Sequence, residues 1–119
     1  MAQDRPTASE LLSAIADFLR EEAMPALDKA EPRLGFQMRV AANSLAILER
    51  EARLGPAADA AEQARLVQLL DHDGALEELN RELARQLRAG TRDEGDAALM
   101  AHLDATIADK IAIANPKWK

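Results

Sequence analysis

The chain has 119 residues, enough for one domain that buries about two thirds of its unfolded surface without metals or cross-links. Its formal charge is −6, from 15 Lys and Arg against 21 Asp and Glu, with no basic run, which disfavours nucleic acid and membrane surfaces as partners because both are negative. It has no cysteine, which removes disulfides, Cys-ligated zinc and thiol catalysis together.

Apolar residues make up 48% of the chain but aromatics only 3%. Leu and Ala, both good helix formers, dominate the apolar set, whereas strand-favouring side chains are scarce. The opening MAQDRPTASE lacks the basic-then-apolar pattern of a signal peptide, and no apolar run approaches the roughly 20 residues that span a bilayer. The expectation is an all-α, cytoplasmic protein that needs no cofactor.

Thr7-Ala-Ser-Glu10 reads as a capping box, followed by Leu11, Leu12, Ile15, Phe18 and Leu19 at helical spacing. Pro25 either ends this helix near Ala23 or starts a short second segment through Leu27 to Ala30. Glu31-Pro32 and Gly35 mark a turn. A further helix is expected from Leu34 or Phe36 to Leu54, stopped by Gly55-Pro56, and another from Pro56 to Leu70. Asp71-His-Asp-Gly74 forms a loop. The next helix, Ala75 to Ala89, carries Leu76, Leu79, Leu83 and Leu87 in a narrow seam with Gly90 just beyond it. After the TRDEGD loop, Asp96 suits an N-cap, and the last helix runs to Asn115 before Pro116. Short loops and amphipathic helices predict a single-domain antiparallel bundle of about five helices over residues 1–119. The ends, 1–6 and 116–119, are expected to be less ordered.

Helical wheels at about 100° per residue place several charges inside apolar arcs. Glu22 falls between the directions of Leu11 and Ile15. Gln37, Ser44 and Glu51 form a polar stripe beside Val40, Ile47 and Leu54, and Lys110 falls amid Leu99, Leu103, Ile107, Ile111 and Ala114. An unpaired buried charge costs several kcal/mol, so Glu22, Ser44, Glu51 and Lys110 are grouped as one buried polar cluster. Two other readings stay open. Glu22 can point to solvent near its helix end while the Lys110 stem packs and its head snorkels out. Alternatively, Lys110 flanked by carboxylates is a cleft for an acidic ligand.

Asn43 borders the apolar arc one turn after Arg39. A mid-helix Asn calls for a hydrogen bond across to a neighbouring helix, or a partner. Trp118, between two lysines after Asn115-Pro116, folds back onto the bundle or docks into another chain. The DHDG stretch lacks the alternating ligands of a calcium loop and reads as a helix-ending turn. His72 and His102 stand without HExxH or Glu-x-x-His companions, so no metal site is expected. No nucleophile elbow or phosphate loop is present. The chain does not read as an enzyme.

Three blocks, RPTASELLSAIADFLREEAMPAL (5–27), GFQMRVAANSLAILEREARLGP (35–56) and DKIAIANPKW (109–118), resemble a bacterial family of small all-helical proteins of unknown function. Members of that family are encoded beside aminoglycoside-phosphotransferase-like kinases and acyl-CoA dehydrogenases. Residues 57–95 match it only in helix and loop pattern. The resemblance carries no catalytic residues. It implies a non-catalytic accessory or stabilising subunit for the neighbouring kinase, in catabolism of acyl-CoA compounds. The family blocks contain Glu22, Asn43, Glu51, Lys110 and Asn115. The alternatives are a small-molecule-binding or enzymatic helical protein that uses Lys110, and a self-associating homo-oligomeric bundle with Trp118 in its seam.

Overall fold

The computed structural model describes residues 5–118, all of whose regular structure is helical. Of the ends expected to be less ordered, 1–4 and 119 lie outside the described residues. The helices are α1 (Ala8–Phe18), a π-helical turn (Leu19–Ala23), α2 (Met24–Ala30), α3 (Pro32–Leu70), α4 (Leu76–Ala89) and α5 (Ala97–Ala114). No helix of the described residues is long and apolar enough to cross a membrane. The contacts group into two compact units: Met1–Leu54 with Ile113–Asn115, and Gly55–Ala112 with Pro116–Lys119.

The first unit opens on the capping box. The Glu10 amide donates to Thr7 Oγ1 at 3.1 Å and the Thr7 amide to Glu10 Oε1 at 3.0 Å. Arg5 pairs with the same carboxylate, and these bonds hold the Glu10 carboxyl below its ordinary range, the Arg5 pairing contributing most. Pro25 does not stop the helical path. The backbone widens into the π turn just before it, where the proline ring would otherwise press on the Glu21 carbonyl. Glu31, forced out of the α region by Pro32, ends α2 with φ −150° and ψ 87°. Its carbonyl accepts from the Gly35 amide at 3.1 Å in the first turn of α3.

Gly35 is therefore helical and buried, not a turn residue. A Cβ there would land inside the Asp28 carboxylate and lie 3.2 Å from the Asp28 Cα, so the glycine permits the close approach of α2 to α3. The unit's other fully covered residues are also small, Ala16 and Ala42.

The expected break at Gly55-Pro56 is corrected: α3 continues through Pro56. Proline removes one helical donor and crowds the residue before it, but Gly55 has no Cβ for the ring to strike.

The second unit holds the leucine core: Leu66 and Leu70 of α3, Leu79 and Leu83 of α4, and Leu99 of α5, with Val67, Leu76 and Leu103 packed against it. Asp71, at φ 62°, turns the chain out of α3, and Gln63 Nε2 donates to the Gly74 carbonyl at 2.8 Å, tying down the loop. At the end of α4, Gly90 adopts φ 76°. The Thr91 amide bonds back to Gln86 O at 3.1 Å and the Gly90 amide to Leu87 O at 3.3 Å, a Schellman motif. Asp96 caps α5, accepting from the Leu99 amide at 3.0 Å.

Burial decides which apolar residues matter to stability. Leu79 is 1% exposed and Phe36 62%, so Leu79→Ala should cost about 2–5 kcal/mol. Phe36→Ala should stay within about 0.5 kcal/mol; urea denaturation of both variants checks this. Gly35→Ala sets helix propensity, about 1 kcal/mol in favour of Ala, against a clash with the Asp28 carboxylate and a tight contact with its Cα. Overpacking of this kind costs about 1–3 kcal/mol, so a net loss of stability is expected in the same assay, partly relieved in an Asp28→Ala background.

Candidate functional site

All four residues grouped from the wheels are exposed: Glu22, Ser44 and Glu51 in the first unit and Lys110 in the second. The penalty for burying a charge, which motivated the grouping, therefore does not arise in this chain by itself. The Ser44 hydroxyl donates to the Val40 carbonyl of its own helix at 3.0 Å. Glu22 lies in the π turn. Lys110 lies on the same side of α5 as Leu99 and Leu103, but the leucine core covers that side only around those two residues. A wheel gives direction, not the length over which a neighbour provides cover.

Asn43 Oδ1 accepts from Arg20 Nη2 at 3.2 Å, and the same nitrogen reaches Ala42 O at 3.4 Å. Arg39 Nη2 meets Asp28 Oδ2 at 3.4 Å. Asn115 is exposed, and Trp118 is 67% exposed, so the indole is not packed into its unit. Ser9 Oγ donates to Glu49 Oε1 at 3.0 Å, and Arg53 Nε donates to the same oxygen at 2.9 Å. Arg53 first and Ser9 second hold the Glu49 carboxyl below its ordinary range. Arg50 Nε donates to Ile113 O at 2.6 Å, satisfying a carbonyl in the last turn of α5.

Large apolar side chains of the first unit stand in water. On α1 they are Leu11, Ile15 and Phe18; on α3 they are Leu34, Phe36, Val40, Ile47 and Leu48. Leu11, Ile15 and Phe18 share one stripe of α1, and Phe36, Val40 and Ile47 one stripe of α3, by their four- and seven-residue spacings.

The second unit contains a different feature. Arg65 of α3 donates from Nε to His102 Nδ1 at 3.0 Å and from Nη2 to Thr106 Oγ1 at 3.2 Å, both on α5. His102 is 3% exposed. Burial, and then the Arg65 charge, lower its pKa, and an Nδ1 that accepts a hydrogen bond places the ring proton on Nε2. Beside this pair lies a cleft of about 280 Å³ lined by Arg65, Gln68, Leu69, Ala98, Ala101 and His102. His102 had a sequence signal, at the edge of the apolar arc of α5. Arg65 had none, because an arginine beside a core leucine is ordinary on a helix.

Arg92 is a second arginine the sequence did not single out. It donates to Gln86 Oε1 at 2.6 Å, to Asp96 Oδ2 at 2.8 Å and to the Leu69 carbonyl, clasping α4, the cap of α5 and the end of α3. His72 bonds the Asp73 carbonyl through Nδ1 at 2.9 Å and Glu82 Oε2 through Nε2 at 2.6 Å. Both acceptors favour the imidazolium, and its pKa is raised, the Asp73 carbonyl contributing most. Among the described residues, no three His, Asp or Glu side chains converge to hold a metal ion.

The two histidines are expected to titrate in opposite directions from the ordinary value near 6.5. His72 is raised on folding, so its contribution to stability is complete below the unfolded value and fades as pH climbs through the folded one. His102 is lowered, so stability is lost as pH falls through the unfolded value, where only the unfolded chain takes up the proton. An NMR titration of both imidazoles, with His72→Ala to assign them, should show one midpoint on each side of 6.5.

No curated protein and no solved structure matches this chain. A family profile matches residues 25–118, which is most of the sequence, and by that match the chain belongs to the family Domain of unknown function (DUF6285).

Proposed function

We propose that this chain is a non-catalytic accessory subunit that acts by docking its first unit onto another protein. The observation that carries this reading is the inverted burial of that unit. Its fully covered positions are Ala16, Gly35 and Ala42, while Phe18 and Phe36 are 55% and 62% exposed and further Leu, Ile and Val residues accompany them. Large apolar side chains left exposed along helical stripes point to an interaction site, and apolar residues four and seven apart on a helix are the usual anchors of a helix laid against a partner groove.

Within the unit, Ser9 meets Glu49 while Arg20 meets Asn43, which supports reading α1 as antiparallel to α3, in keeping with a bundle of about five helices. The partner we propose is the aminoglycoside-phosphotransferase-like kinase that the family resemblance brings forward, acting in the cytoplasm on acyl-CoA-linked catabolism. In that setting the subunit would order the kinase or complete its substrate cleft.

Co-expression and co-purification with the neighbouring kinase, together with kinase activity with and without this chain, test the proposal. The pair should co-purify, and Phe18→Ser with Phe36→Ser should weaken the complex more than about tenfold while helix content holds. A kinase fully active and stable alone ends the proposal. A dimer of this chain that the same double variant dissociates reassigns the face to self-association.

A further inference from the structure

We propose that the cleft between α3 and α5 of the second unit, lined by Arg65, Gln68, Leu69, Ala98, Ala101 and His102, binds a small organic carboxylate with a short apolar tail. Arg65 has hydrogen-bond donors to spare. A guanidinium carries five N–H donors, and two of these are used, on His102 Nδ1 at 3.0 Å and Thr106 Oγ1 at 3.2 Å. Three remain. Arg65 is half-buried and, among the described residues, pairs with no carboxylate.

Arg92 of the same unit shows what a completed arginine looks like: at 20% exposure it is paired with Asp96 Oδ2 at 2.8 Å. A half-covered cation without its anion is under-compensated, and the edge of a guanidinium is shaped to take both oxygens of a carboxylate. Both side-chain partners of Arg65 are neutral; the Glu62 carboxylate, which acts on His102 from a distance, makes no ion pair with Arg65.

The remaining lining narrows the ligand further. Leu69, Ala98 and Ala101 form an apolar wall, Gln68 offers an amide, and no second cation lines the cleft. Phosphate sites gather several donors or a helix N-terminus, whereas one guanidinium beside an apolar wall matches a fatty or branched short-chain acid. His102 adds a donor. Its Nε2 has no protein partner, and among the described residues no unpartnered side-chain nitrogen or oxygen is fully buried, so the small part of His102 left open includes Nε2–H. The volume, about 280 Å³, falls just under the range of about 300–1,000 Å³ that holds drug-sized ligands, which suits a smaller molecule.

The cleft is independent of the docking face, which belongs to the first unit, so failure of either proposal leaves the other standing. The test is NMR titration of the full chain with butyrate, against butanol and inorganic phosphate. Saturable shifts at His102, Ala98 and Ala101 with butyrate, and none with butanol, are expected. Arg65→Gln should weaken binding at least about tenfold. Ala101→Leu, which fills the cleft and leaves the guanidinium in place, should do the same and keeps the test decisive even where Arg65→Gln disturbs folding. Equal binding of butanol, binding of phosphate but not butyrate, or no saturable shift with any probe would each overturn the assignment.

Discussion

Five leucines from three helices, Leu66 and Leu70, Leu79 and Leu83, and Leu99, carry the large-side-chain burial on which the second unit depends. Each such burial is worth about 1.5–3 kcal/mol, but it has no direction: leucines alone would let α3, α4 and α5 slide past one another. Directional bonds remove that freedom. Asp71 and Gly90 reverse the chain in left-handed conformations, Asp96 fixes where α5 begins, and Arg92 reaches all three helical segments with one planar group. Arg65 and His102 then sit beside a seam whose register is already set, which is what gives their 3.0 Å contact a fixed geometry.

The first unit is held differently. Its covered residues are small, so helices come close without much apolar area leaving water. The bonds crossing it, Ser9 to Glu49, Arg20 to Asn43 and Arg39 to Asp28, run between exposed or half-exposed groups, and such pairs contribute about 0–1 kcal/mol each. Gly35 against Asp28 fixes the corner between α2 and α3 by shape more than by attraction. A unit assembled this way leaves its large hydrophobic side chains in water, and anything that covered them would add stability by mass action.

Helix identity was legible because local chemistry dictates it. The capping box at Thr7, the seam of α4, Gly90 and the Asp96 cap all depend on residues within a turn or two of each other. The interruption at Gly55-Pro56 was misread because the same glycine that usually ends a helix also relieves the crowding that a following proline imposes. Burial was much less legible. The apolar arc of α4 is narrow and pointed correctly at Leu79 and Leu83, but α5 is apolar on most sides, and its wheel gave Ile107 and Lys110 the same standing as Leu99. Only Leu99 and His102 are covered. Arg65 and Arg92 escaped notice because their roles depend on atoms far along the chain, the His102 ring and the Leu69 carbonyl, which no spacing rule encodes.

Charge bears on the apolar stripes and on the cleft alike. At −6 the protein as a whole repels anions, and this background extends over roughly a Debye length, about 8 Å at physiological salt. An acid is drawn in only where a local cation at short range, in a setting less polar than water, outweighs that field. Arg5, Arg39, Arg53, Arg81 and Arg92 cannot do so, because they already face carboxylates. Lys110 is exposed to bulk water, where its attraction is strongly damped. Arg65, half-covered and hydrogen-bonded only to neutral groups, lines the cleft without an ion pair of its own among the described residues. The same acidic background disfavours unspecific attraction of polyanions to the apolar stripes of α1 and α3, so what those stripes present to their surroundings is shape and hydrophobic area.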